Sequence, residues 1–330
     1  MITNKAWTFG TENLNATGQY GRGTYSRLVF PRPIYGGKQM GLATERLGKA
    51  KPRAPEASGK QDVDKTRAQQ IRAYQVRDRD ELEAAFRLVH DNYVRSGYME
   101  PHPAGIRIGV YNALPTTTTF VALAGDEVTA TVSLFLDSAM GLPLDSLYGD
   151  VADSLRAQGR KIGEVGMLAD RRRNLSEGIH LLLELMKLVS LTARGRDLDD
   201  LLITVNPKHE KFYERLLRFK KFGQVREYQA VKNAPAVLLR IQKSDLESQE
   251  TRNEQVHEVF FSPVTGSNNT PGYRMRREDL AYFFLDKTDV FNKLDRDQTQ
   301  AIEECFPGLK TSELLATAAM WRDPVGRKTA

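Results

Sequence analysis

The sequence predicts an α/β or α+β fold in which helices pack on a mixed sheet. Three observations carry that expectation. Phe120–Ala124 and Glu127–Leu136 are apolar runs flanking Gly125-Asp126, which makes a hairpin. Ile162–Leu168 reads as a central strand that leads through a basic turn into a long apolar helix. Leu201–Val205 is a strand that runs into Asn206-Pro207, a helix start with Asn as cap and Pro where its missing N–H costs nothing. A hairpin followed by strand–helix alternation builds a layer of helices on a sheet.

Taken in order, residues 1–66 are rich in Gly, Pro, Thr, Lys and Arg, lack an apolar period, and read as a disordered basic arm. Folded structure is expected to start near Ile71, with a short strand at Tyr74–Arg77. Asp80 is the expected cap of a helix carrying Leu82, Ala85, Phe86, Val89 and Tyr93 at helical spacing. Two prolines exclude regular structure from Tyr98–Gly105. A short helix is expected over Asp153–Gly159 and a buried one over Ser176–Ala193, whose leucines lie all around it. The helix after Asn206 is expected to continue through Arg218 and to align His209, Phe212, Tyr213, Leu216 and Leu217. Val237–Ile241 is the last strand. Residues 244–270 read as a polar linker, and the Phe/Leu-rich remainder as helical.

Composition narrows the class. With 330 residues, 40% hydrophobic, the chain can bury a large core, and no apolar run is long enough to span a membrane. A cytoplasmic location is expected. One cysteine, Cys305, excludes an internal disulfide framework, and five histidines without clustered carboxylates make a metal site improbable. The net charge of +6 comes from the leading segment, where residues 1–75 hold 13 Lys/Arg against 5 Asp/Glu. Stacking aromatics do not interleave with basic residues on a folded face, so no nucleic-acid partner is expected.

No phosphate-loop, nucleophile-elbow or zinc-protease motif is present. The chemistry-bearing candidates are Glu164, the turn Arg171-Arg172-Arg173, Asn206, His209 and Tyr213. The turn joins a strand to a helix N-terminus, a natural anion site, yet it is arginine-rich and almost free of glycine.

These residues resemble a known family. Asn206-Pro-Lys-His-Glu-Lys-Phe-Tyr213-Glu-Arg-Leu keeps the Asn–Tyr spacing of the GNAT acyltransferases. Phe86-Arg-Leu-Val-His-Asp-Asn-Tyr-Val-Arg-Ser-Gly-Tyr-Met-Glu-Pro-His102, Thr119-Phe-Val-Ala-Leu123, Glu164-Val-Gly-Met-Leu-Ala-Asp170 and Asp200–Tyr213 resemble long-chain N-acyl amino acid synthases of the FeeM type. That family is related to the acyl-homoserine lactone synthases. The resemblance spans residues 71–243 and implies a GNAT-like, mostly antiparallel sheet; it leaves both termini uncovered, where composition reads 1–66 as an arm and 244–330 as linker and helical extension.

It further implies transfer of a long acyl chain from acyl carrier protein to an amino acid's amine, with no bound cofactor. Arg171, Arg172 and Arg173 would meet a phosphopantetheine arm and the carrier's acidic surface, replacing the glycine-bearing turn of coenzyme A users. Met167, Leu168, Ala169 and Asn206 complete the expected acyl and pantetheine site, the Met167–Ala169 amides polarising the carbonyl. Glu164 is the expected base and Tyr213 the expected acid, against plainer readings as an arginine-paired carboxylate and a core tyrosine. The C-terminal helices are expected to cover the acyl chain. The rivals are a lactone synthase, a coenzyme A-dependent N-acetyltransferase, and a GNAT module that binds a carrier or acyl lipid without turnover.

Overall fold

A computed structural model describes residues 71–171, 175–250, 253–262 and 272–322. The arm at 1–66, and Arg172 and Arg173 of the basic turn, lie outside the described residues.

The first half of the sheet grows by local pairing. Strand β1 (Ile71–Gln75) precedes helix α1 (Arg79–Arg95), whose cap is Asp78 rather than Asp80. Asp78 has extended backbone and accepts the Glu81 N–H at 2.9 Å, leaving Asp80 in the first turn, where an acid favours the helix dipole. The hairpin of β2 (Thr118–Ala124) and β3 (Glu127–Leu136) turns on Gly125, whose φ of +63° suits a residue without Cβ. Helix α2 spans Asp145–Ala157, beginning well before the expected Asp153. Strand β4 (Ile162–Asp170) then leads to α3 (Leu175–Gly195).

The second half is β5 (Asp200–Val205), α4 (Glu210–Leu217), two short strands β6 (Lys220–Lys221) and β7 (Arg226–Tyr228), and the long β8 (Ala234–Gln242). Helix α4 stops at Leu217, because Arg218 takes a left-handed conformation at φ +60°. The strand order is β1-β2-β3-β4-β5-β8-β6, with β7 also on β8. Every pair is antiparallel except β4–β5. The sheet is therefore mixed and mostly antiparallel, as expected.

Helix α3 covers one face through Leu181, Leu185, Met186 and Val189, packed on Val165, Leu201 and Ile203. It is buried on most sides, though Leu191 is 49% exposed on the outside. The opposite face carries α1 and α2.

The segment after β8 is more ordered than its polar composition suggests. It contains α5 (Lys243–Glu247) and α6 (Glu254–Phe260), and α6 docks on α3 through Val256, Val259 and Phe260. Helix α7 (Arg277–Ala281), which widens into a π turn over Tyr282–Asp286, packs Phe283 edge-on against Phe86 of α1 at 5.4 Å. Asp279, fully buried, accepts from Arg79 at 2.5 Å and Tyr273 at 2.6 Å, clasping this segment to the start of α1. Among the described residues none of these helices lines the cleft described next, contrary to expectation: Phe260 is spent on α3 and Phe283 on α1.

Candidate active site

The parallel pair β4–β5 holds for only three register pairs, ending at Glu164↔Leu202. Beyond that point β4 follows β3 and β5 follows β8, so the sheet parts. A cavity of about 1030 Å³ occupies the gap. Its walls include Glu164–Asp170 on one side and Ile203–Asn206 on the other, with Leu182 and Leu185 of α3 reaching in from one face. Tyr111 and Tyr228 line it at the Glu164 end. The cleft thus passes through the sheet, apolar towards α3 and polar on the other face.

A bulge shapes its edge. Thr131 pairs with Ala169 and Ser133 with Gly166, so β4 has one residue more than β3 there, and Met167 and Leu168 stand outside the register. Met167 sits at φ +51°, a conformation that costs a non-glycine residue about 1–2 kcal/mol. Its sulfur receives the Asn112 side-chain amide at 3.1 Å. Strain held by neighbours beside a cavity is a common mark of a working site. Gly166 keeps the wall thin: a Cβ there would lie 3.2 Å from the Phe135 ring and 3.8 Å from Glu164 Oε1.

Glu164 is 6% exposed, and its Oε2 accepts the backbone N–H of Leu144 at 2.7 Å, just before α2. Among the described residues no arginine pairs with it. Burial pushes its carboxyl up to about 8, against the opposing pull of the Leu144 amide, with Asp145 adding to the rise. Tyr111 is pushed up to about 12 by burial, with Asp145 and Glu164 adding their negative charge. Tyr228 is raised by burial and by Glu164.

Tyr213 is 9% exposed on α4 and lines the same cavity. Burial, then Tyr93, raises its phenol, so it keeps its proton at neutral pH. His209 also lines the cavity and is lowered to about 4 by burial, with Lys208 contributing, so its imidazole is neutral. Asn206 caps the turn over Pro207–His209 by accepting the Lys208 N–H at 3.2 Å and is hydrogen-bonded to Tyr98.

The far end of β4 is basic. Arg171 lines the cavity and pairs with Glu127. Asn92 donates to the Asp170 carbonyl at 3.1 Å and Arg95 reaches it at 3.5 Å, tying α1 to the strand end. Of the residues singled out from sequence, Glu164, Met167, Leu168, Ala169, Arg171, Asn206 and Tyr213 all line one cavity. Sequence reasoning missed Tyr111, Asn112, Arg107 and Tyr228, which come from irregular or very short segments with no periodic signal.

Among the described residues no group of three or more His, Cys, Asp or Glu side chains is placed to hold a metal. Nor is any described helix long and apolar enough to cross a membrane.

A comparison with curated proteins gives no match. The model of the FeeM N-acyl amino acid synthase family matches residues 84–242. Among solved structures, the chain is 30% identical to FeeM, an N-acyl amino acid synthase from uncultured soil microbes, over 55% of this chain and 94% of that one, with a TM-score of 0.49. It is 19% identical to BjaI, a CoA-dependent acyl-homoserine lactone synthase, over 62% of this chain and 96% of that one, TM-score 0.43. It is 12% identical to an N-acetyltransferase from Staphylococcus aureus Mu50, over 52% and 97% of the two chains, TM-score 0.36. With its own family model matched, and 30% identity sustained across 94% of FeeM, the chain belongs to the FeeM family of N-acyl amino acid synthases.

Proposed function

We propose that this enzyme transfers a long acyl chain from an acyl carrier protein thioester to the amine of an amino acid, giving an N-acyl amino acid. Acyl transfer to an amine follows from the family; the carrier donor and the long chain are the finer reading. The observation that carries the reading is Glu164: a buried carboxylate, raised to about 8, at the point where β4 and β5 part.

Amide formation needs a free amine, a stabilised oxyanion and a leaving thiolate. On this reading the amine nitrogen attacks the thioester carbonyl, and its proton passes to the ionised Glu164. A carboxylate poised near 8 is a far stronger base than an ordinary one. In this reading the backbone amides of Met167 and Leu168, at the bulge, serve the developing oxyanion, with Ala169 adjacent. As the C–S bond breaks, the Tyr213 phenol supplies the thiolate's proton. Glu164 and Tyr213 then re-equilibrate with solvent, and the products are amide and free thiol.

The apolar walls Leu182, Leu185 and Ile203 suit an alkyl chain. Arg95 at the end of α1 and Arg171, which opens a turn with one glycine, suit a single phosphate and an acidic carrier surface better than a dinucleotide. Residues 71–243 form the catalytic unit in this reading, and the described helices of the segment after β8 buttress α1 and α3.

The test is to supply acyl carrier protein and coenzyme A thioesters of equal chain length with free amino acids, and to follow products by mass spectrometry. Acyl carrier turnover at least tenfold more efficient is expected. Preference for coenzyme A would sink the carrier reading, and S-adenosylmethionine as the better acceptor would make this a lactone synthase. Binding of acyl carrier protein without product from any acceptor would make it a non-catalytic module.

A further inference from the structure

The cleft holds a cation that the reaction above leaves unused. Arg107 lines the cavity, its guanidinium carbon 4.3 Å from the centre of the Tyr93 ring. Nη2 donates to the Ala230 carbonyl at 3.3 Å, and Nη1 lies 3.8 Å from Met99 Sδ. Among the described residues no carboxylate pairs with it. A guanidinium carries five N–H donors in a fixed fork, so these two contacts orient Arg107 without exhausting it.

The other cavity-lining cations are placed differently. Arg171 is paired with Glu127, and Arg95 leans on the Asp170 carbonyl. Both serve the Asp170 end, six residues beyond Glu164, or roughly 20 Å at about 3.3 Å per residue. Lys208 is exposed at the start of the turn before α4. Arg107 instead is tied to Ala230, two residues from Tyr228, and Tyr228 lines the same cavity as Glu164. A cleft that offers a base and, across one tyrosine, an oriented guanidinium fork matches a ligand with an amine and an anion close together. A planar fork recognises a carboxylate by two parallel hydrogen bonds.

We propose that Arg107 binds the α-carboxylate of the amino acid acceptor and so turns its amine toward Glu164. This deepens the N-acyltransferase reading and rests on it. Arg107 is a specificity residue for free amino acids over simple amines or carboxyl-blocked acceptors.

The experiment compares one amino acid with its carboxamide, using an acyl carrier protein thioester as donor and the full-length enzyme. The wild type is expected to favour the acid in kcat/KM. In Arg107→Gln the acid-over-amide ratio should fall at least about 20-fold, with the loss mainly in KM, as expected for a charge-assisted bidentate contact. Arg107→Lys, which keeps the charge without the fork, should fall between. A ratio unchanged in Arg107→Gln, with both acceptors weakened alike, overturns the proposal and leaves Arg107 a strap to Ala230. A wild type indifferent to the carboxylate overturns it as well, while the N-acyltransferase reading stands. Turnover of neither acceptor by the wild type, with either thioester, sinks the parent reading and this one together. Because the ratio is internal to each variant, partial unfolding does not mimic the expected result.

Discussion

The two ends of the β4–β5 pair bury acids under opposite conditions. At the closed end Asp200, in register with Ile162, has a side chain with no solvent exposure, and it is gripped by Arg160 at 2.8 Å and by Arg240 at 2.8 Å. At the open end, two residues along β4, Glu164 is nearly as buried but receives a single backbone N–H among the described residues. The first acid is neutralised by fixed cations and holds strands together. The second has burial offset by only that one amide, so its proton is held tightly and its basicity is high. On the proposed function the acid held by two arginines is structural and the acid beside the cavity is the base.

The sharpest way to break this comparison is Glu164→Gln. If Glu164 is the base, kcat falls by about 10²–10⁴-fold while the fold persists. Loss of less than tenfold in product formation would return Glu164 to a packing role. Asp200→Asn should do the reverse. Two arginines lose a buried partner, so chemical denaturation should reveal a loss of roughly 3–5 kcal/mol, with kcat per folded molecule little changed. Unaltered stability would mean that the closed end is not held by these ion pairs.

The same contrast predicts a pH dependence. With its folded-state pKa raised from 4.5 to about 8, Glu164 keeps in the folded protein a proton that the unfolded chain has already lost. Its contribution to stability is therefore unfavourable, growing as pH rises from about 4.5 to 8 and constant above. Glu164→Gln should become more stable than wild type across that window, by up to roughly 4 kcal/mol, when melts are compared at pH 5 and pH 8.5. The wild type should also gain activity towards pH 8, a limb absent from the variant. Equal stability of the two proteins at both pH values would refute the raised pKa.

The smallest effect concerns the bulge. Met167→Val places a β-branched side chain at φ +51°, which should cost about 1 kcal/mol more and lower turnover several-fold by shifting the Leu168 amide. An unchanged rate would remove the bulge from the catalytic account.

Much of this arrangement was legible in the sequence because its signals are local. The Gly125 turn, the strand at Glu164, and the Asn206-Pro207 start each announce themselves within a few residues. Asp78 and Asp80 show the limit: both suit a cap, and the extended backbone at Asp78 decides between them. Tyr111, Arg107 and Tyr228 were not legible. They lie on a 3₁₀ turn, a loop and a three-residue strand, and reach the cleft only through packing that no periodicity encodes. The C-terminal aromatics misled for a related reason: an apolar stripe records that a helix is covered, not by what. Here Phe283 and Phe284 are covered by the core beneath α1.

The early parting of β4 and β5 separates two properties that enzymes often have to trade. Past Glu164↔Leu202 the cleft is floored by side chains such as Leu182, Leu185 and Ile203 rather than by ladder hydrogen bonds. On the proposed function this floor is a ruler for acyl length, and its graduations are single residues of α3 and β5. Larger or smaller side chains there reset the length selected while the strand pairings, and the acid locked at the closed end, stay as they are.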